Sequence, residues 1–208
     1  MIFKLLFEGI LMGFLASVLL GPTGILVIQR TVNQNHLSGM LSGMGAAISD
    51  TIYAGISGFS VAIIFHFIRE NEILLKTGIS VILLLLGVII LFSNPEKYSQ
   101  KEINSSKNYF KNFITTFLVA ASNPLIMFVH LSLFAVFGIA LDIKNPAGAL
   151  VILSGFFLGA LVWWFSLTGV ISKFKNKISK KIFLQFNRIA GSTIILIVLG
   201  SLLFFFLN

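Results

Sequence analysis

The groups with which this sequence could do chemistry are few, and all lie inside apolar runs. Asp50 stands about 20 Å along the run Leu37–Ile68, taking 1.5 Å of rise per helical residue. A charged aspartate at the middle of a membrane helix costs about 2.5–3.5 kcal/mol on insertion scales. Its stripe on a helix carries Gly39, Gly43, Ala46 or Ala47, Tyr53 or Ala54, and Ser57. The small residues on it allow a neighbouring helix to come close, or leave a cavity beside the carboxylate. The chemistry open to Asp50 is the binding of a substrate ammonium or of a proton. The alternative is a protonated acid hydrogen-bonded to another helix.

Two further positions break the helices that carry them. Gly21-Pro22-Thr23-Gly24 interrupts the first apolar run and Asn123-Pro124 interrupts the fourth. Proline removes a backbone donor and clashes with the preceding turn. Carbonyls freed within a bilayer must then face protein or water. A pair of broken helices at corresponding places in two halves points to a transport site, whereas ordinary proline kinks are the plainer account. His130 follows Asn123 by seven residues and shares its helix face. It could carry a coupling proton or simply bridge two helices. In Gly155-x3-Gly159-x3-Trp163-Trp164, the glycines form a groove for close packing, and either indole could stack on a cation. Trp163 is expected to form one wall of the site.

These residues need elements to hold them, and composition says which. The chain is 57% apolar and 11% charged, against about 45–50% and 25% for a soluble domain. So many apolar side chains cannot be hidden in one core of this size, which makes lipid the solvent. Six runs are long enough to cross a hydrocarbon layer of about 30 Å: Leu5–Ile28, Leu37–Ile68, Ile73–Phe92, Phe113–Ala140, Ala147–Ser172 and Ile189–Leu207. Period-2 alternation is missing, so the fold class is an all-α membrane protein of six transmembrane helices. Leu37–Ile68 is longer than an upright span needs, which implies tilt or extension into water. The connections are Gln29–His36, Arg69–Glu72, Asn94–Asn112, Leu141–Pro146 and Lys173–Arg188. The longest divides the single 208-residue domain into a half over about 1–93 and a half over about 113–208. Three helices per half would make the halves inverted repeats. The echo of Leu41-Ser42-Gly43 in Leu153-Ser154-Gly155 supports this weakly.

Net charge is +8, and its placement explains it. One side of the expected bilayer collects 11 basic residues: Arg30, four lysines of the central loop, and six residues between Lys173 and Arg188. The other side has four, namely Lys4, Arg69, Lys76 and Lys144. The richer side faces the cytoplasm by the positive-inside rule, which puts both termini outside and removes any need for nucleic acid as a partner. Phe174, Ile178, Ile182 and Phe186 recur among those lysines, the spacing of a helix lying along the inner leaflet. No signal-peptide cleavage pattern is seen, so the first helix is expected to be retained.

Cysteine is absent, which excludes disulfides, thiol catalysis and cysteine-held metals. There is no HExxH, GxSxG or phosphate-binding loop, and the three histidines are scattered. Neither an enzyme nor a cofactor is expected.

Taken in order, these motifs resemble the LysE/RhtB family of amino-acid exporters. The match lies in Gly21-Pro22, in the glycines 39, 43 and 45 leading to Asp50, in Asn123-Pro124, in Gly155, Gly159 and Trp163, and in Asn187-Arg188-Ile189-Ala190-Gly191. Leu20, Ser49 and Leu125 stand where many members have proline, glycine and lysine, so substrate identity does not carry over. The resemblance implies an inner-membrane secondary transporter that exports an amino acid or small derivative, driven by H+ or Na+, and a homo-oligomer is compatible with it. Asp50 would then bind the ammonium or the proton, and Gly21, Pro22, Thr23, Gly24, Asn123 and Pro124 would hold the carboxylate and gate the path. Two other classes remain open: a carrier or channel for an inorganic ion, and a non-transporting scaffold subunit.

Overall fold

The structure, a computed structural model, describes residues 2–18, 21–70 and 108–174, with isolated helical positions at 81, 84, 85, 88, 91, 92, 188, 192, 195, 196 and 199. Among the described residues there are six helices and no strand: α1 (Ile2–Val18), α2 (Pro22–Asn33), α3 (His36–Glu70), α4 (Tyr109–Ala121), α5 (Pro124–Val136) and α6 (Pro146–Phe174). Helix α6 is by itself long and apolar enough to cross a membrane. The expected third and sixth spans, most of the central loop, and the surface helix beyond Phe174 lie outside the described residues.

The first and fourth apolar runs are each two helices rather than one kinked span. The chain turns by 77° between α1 and α2 and by 70° between α4 and α5, and each second helix opens on its proline. Proline fits the first helical turn, where no amide is needed, and not the interior. Each bent pair, taken together, is again long and apolar enough to span.

The polar connection foreseen over Gln29–His36 is shorter than expected. Helix α2 runs on to Asn33, and only Gln34 and Asn35 turn the chain. Asn35 then caps α3, its Oδ1 accepting from the Ser38 amide at 2.7 Å. At 35 residues, α3 would extend about 52 Å, and it touches all five other helices. Before α6, Asn145 is the cap, its Oδ1 accepting from the Gly148 amide at 3.1 Å. That helix covers the expected run Ala147–Ser172 and exceeds it at both ends.

Lipid gives no hydrophobic drive for one helix to seek another, so association relies on close packing of small residues. Helices α1 and α6 show how. Gly9 and Gly13 face Gly155 and Gly159, and a Cβ on any of them would strike the partner's backbone, as at Gly155, where it would lie 2.5 Å from the Leu6 carbonyl oxygen. Gly45 meets the α4 backbone at Phe113 in the same way. Two apolar clusters result. Met12, Ala54, Phe134 and Phe156 belong to one, and Val27, Ala46, Ala160 and Trp164 to the other.

Gly159→Val should therefore force α1 and α6 apart and cost about 1–3 kcal/mol or more. Gly169 has no heavy atom within 4 Å of where a Cβ would go, so Gly169→Ala should gain about 0.5–1 kcal/mol from helix propensity. Thermal melting of the two purified variants in detergent checks both signs.

Candidate functional site

Asp50 lies on α3 between Ala46 and Ala47, which belong to one apolar cluster, and Ala54, which belongs to the other. A cavity of about 50 Å³ opens at that seam. It is lined by Asp50 with Ala16, Ser17, Gly21, Thr23, Asn123, Ile126, Val129, His130 and Trp164. Five elements thus converge on one carboxylate. Asp50 is 6 % exposed, and it makes no hydrogen bond or ion pair among the described residues. A buried carboxylate is expensive to leave in that condition, since its lost hydration is replaced by nothing from the protein.

Both helix breaks deliver their amino-terminal ends here. Gly21 precedes α2 in an extended conformation and, having no side chain, caps nothing. The first turn of a helix carries amides without intrahelical acceptors, and the helix dipole places positive potential there. Pro22 opens α2, and Thr23 and Gly24 follow in its first turn, both buried. Across the cavity, Asn123 precedes α5, its carbonyl accepting from the Ile126 amide at 3.2 Å. A Cβ added at Gly21 would lie 3.9 Å from Asn123 Nδ2, which shows how near the two breaks are. Of the residues singled out in the sequence, Asp50, Gly21, Thr23, Asn123 and His130 share this cavity. Pro22 and Pro124 start the helices that reach it, and Gly24 sits one residue behind Thr23.

Helix α3 also holds the second break in place. Tyr53 Oη donates to the Ala121 carbonyl at 2.5 Å, and Ser57 Oγ donates to the Met127 carbonyl at 3.3 Å. These two acceptors flank Asn123-Pro124. The Ala121 carbonyl, at the end of α4, would otherwise lack a partner in lipid.

His130 offers a defined acceptor. Its Nδ1 lies 2.6 Å from the Ile126 carbonyl, which can only accept, so Nδ1 carries the hydrogen. Neutral His130 then presents a bare Nε2, and that atom has no partner. Ser17 Oγ and the Trp164 indole Nε1 are buried and without hydrogen bonds as well. The cavity wall thus holds a carboxylate, an imidazole nitrogen, a hydroxyl and an indole N–H, all unspent.

The indole that lines the cavity is Trp164, 2 % exposed, and not Trp163. Adjacent helical residues point about 100° apart, so only one of the pair can face inward. Trp163 packs edge-on against Phe14 with ring centroids 5.4 Å apart. Gly43 decides which indole turns in, because a Cβ there would lie 2.6 Å from Trp164 Cβ. The sequence carries a trace of this, since Gly43 lies two turns before Asp50. Ser17 had no such signal.

Arg30 is the largest surprise. Counted with the cytoplasmic loops in the sequence, it is a residue of α2 and only 7 % exposed. Its Nη1 donates to Asn112 O at 2.5 Å, Thr116 Oγ1 at 2.6 Å and Ser42 Oγ at 3.1 Å, and its Nη2 donates to Thr115 Oγ1 at 2.6 Å. It therefore ties α2 to α3 and α4.

A sequence model described as LysE type translocator matches residues 14–205. A protein of Bacillus subtilis (strain 168) named "Putative amino acid efflux protein YcgF" is 24% identical over 195 residues, covering 89% of each chain. The apolar helices, the two broken pairs and a match over nearly the whole length agree: the chain belongs to the LysE type translocator family of membrane transporters.

Proposed function

We propose that this chain exports amino acids or small amino-acid derivatives across the inner membrane, exchanging the substrate against H+ or Na+. One observation carries the reading, namely that a carboxylate without partners and two helix amino termini meet in a single cavity. An α-amino acid is a zwitterion. Its carboxylate suits the amides and dipoles at the starts of α2 and α5, and its ammonium suits Asp50. The named efflux relative from Bacillus subtilis fits the same substrate class.

Coupling follows from competition at Asp50. A carboxylate that holds either a proton or a cation, but not both, exchanges one for the other as it is exposed to each side. His130 Nε2, in the same wall, is placed to relay the proton. The cavity, at about 50 Å³, has room for a few waters. Loading a substrate therefore parts the half-helices, and the two breaks are where the backbone can yield. The order of broken pair then long helix recurs, with α1, α2 and α3 followed by α4, α5 and α6. This recurrence supports two repeated halves of one domain; three spans in each half would invert one against the other, and the lysine and arginine count supports basic loops in the cytoplasm and both termini outside.

The first test is amino-acid release from cells fed a panel of dipeptides, comparing wild type, Asp50→Asn and an empty vector. Wild type should release particular amino acids faster than the vector control. Asp50→Asn should lose about tenfold or more of that excess, as expected for removing a charge-assisted contact, and with it the dependence on external pH. Release by Asp50→Asn equal to wild type, at equal amounts in the membrane, would overturn the mechanism. The two tryptophans give a second test. Trp164→Phe should raise the apparent KM by about threefold or more, within the range of a lost cation–π or indole contact, while Trp163→Phe should leave it unchanged.

A further inference from the structure

Arg30 is a buried cation for which the protein provides no anion. Its four hydrogen bonds go to a carbonyl and three hydroxyls, and no carboxylate pairs with it among the described residues. A buried charge without a counter-charge is costly, and membrane helices keep one where it contacts what passes. The donors are incompletely used. Nε has no partner, and Nη2 gives a single hydrogen bond, to Thr115. Nε and Nη2 form the edge of a guanidinium that grips a carboxylate side-on through two parallel N–H···O bonds.

The surroundings orient that edge in advance. Thr115 donates its hydroxyl hydrogen to the Lys111 carbonyl at 2.6 Å, and Thr116 donates to Asn112 O at 2.8 Å. Both oxygens are therefore fixed as acceptors for Arg30. Asn112 is held in turn, its Nδ2 donating to Gln34 Oε1 at 2.6 Å. Ser42, the third hydroxyl, precedes Asp50 by eight residues, which places it on a neighbouring face of α3 about 12 Å away along the helix. Arg30 and the Asp50 cavity are thus successive stations beside one helix.

We propose that Arg30 is a binding station for the carboxylate of the transported molecule, on the side of the cavity that the charge distribution assigns to the cytoplasm. It rests on the export reading and on that orientation. A substrate would dock its carboxylate on Arg30 and then pass to the two helix amino termini, where Asp50 meets its ammonium. The guanidinium, with its charge uncompensated by the protein, attracts the carboxylate and does not need to break an ion pair to receive it.

The test uses everted and right-side-out membrane vesicles carrying wild type, Arg30→Lys or Arg30→Gln, with transport normalised to the amount of protein. The probes are radiolabelled L-amino acids taken singly and the matching amino-acid amides, which keep the ammonium and lack the carboxylate. Arg30→Gln should raise KM at the cytoplasmic face by about tenfold or more, with little change at the outer face. Arg30→Lys should recover part of the loss, and transport of the amides should not distinguish the three proteins. An unchanged cytoplasmic KM, or an equal rise at both faces, would overturn the proposal. Should wild type move no amino acid in either vesicle, the export reading fails, and the anion site is judged on purified protein. A Tm raised by sodium acetate over sodium chloride at equal ionic strength in wild type, and not in Arg30→Gln, would sustain it, and equal Tm values would overturn it. A Tm gain from phosphatidylglycerol in phosphatidylcholine nanodiscs that Arg30→Gln loses would assign the site to a lipid phosphate and overturn the carboxylate assignment.

Discussion

A bilayer offers no hydrogen-bond partner to a broken helix, and the arrangement of this molecule depends on that constraint. The chain bends twice, at Gly21-Pro22 and at Asn123-Pro124. Each bend leaves backbone amides and carbonyls that a straight helix would have satisfied. They have to be enclosed by protein, and α3 supplies the enclosure by touching every other described helix. Tyr53 and Ser57 reach from α3 to carbonyls on either side of the second bend. Residues of both bends, Gly21 and Asn123, line the cavity with Asp50.

Packing and site are made by the same residues. With no solvent-driven collapse between helices, contact has to come from close approach. Glycines 9, 13, 155 and 159 let two backbones meet, and Gly45 does so for α3 and α4. Gly43 differs, since it receives the base of Trp164 and so sets one wall of the cavity. A glycine exchanged for a larger residue would act on the fold in the first five cases and on the site in the last.

The molecule buries a carboxylate and a guanidinium on two helices that pack together and does not pair them. In a soluble core the two would be expected to neutralise each other, because each alone loses hydration without compensation. Here the anion faces helix ends of positive potential across a cavity, while the cation is surrounded by hydroxyls and a carbonyl. On the export reading, this separation keeps one group open to an ammonium and the other to a carboxylate. Pairing them would stabilise the protein and close both.

Composition and order of residues were enough to point to membrane helices, to the two proline breaks and to the family. These follow from local rules: how many apolar residues a bilayer spans, what proline does to a turn, and what a lone acid costs. The sequence also marked Asp50, Gly21, Thr23, Asn123 and His130, which the fold brings to one cavity. It could not say that each break is a turn of 70° or more, because the bend angle depends on the helices packed around it. Nor could it choose Trp164 over Trp163, since that depends on which indole meets Gly43 across a helix pair. Arg30 read as a loop charge because Gln29–His36 is polar in one dimension. Only the tertiary structure, by placing Ser42, Thr115, Thr116 and the Asn112 carbonyl around it, made it a buried cation.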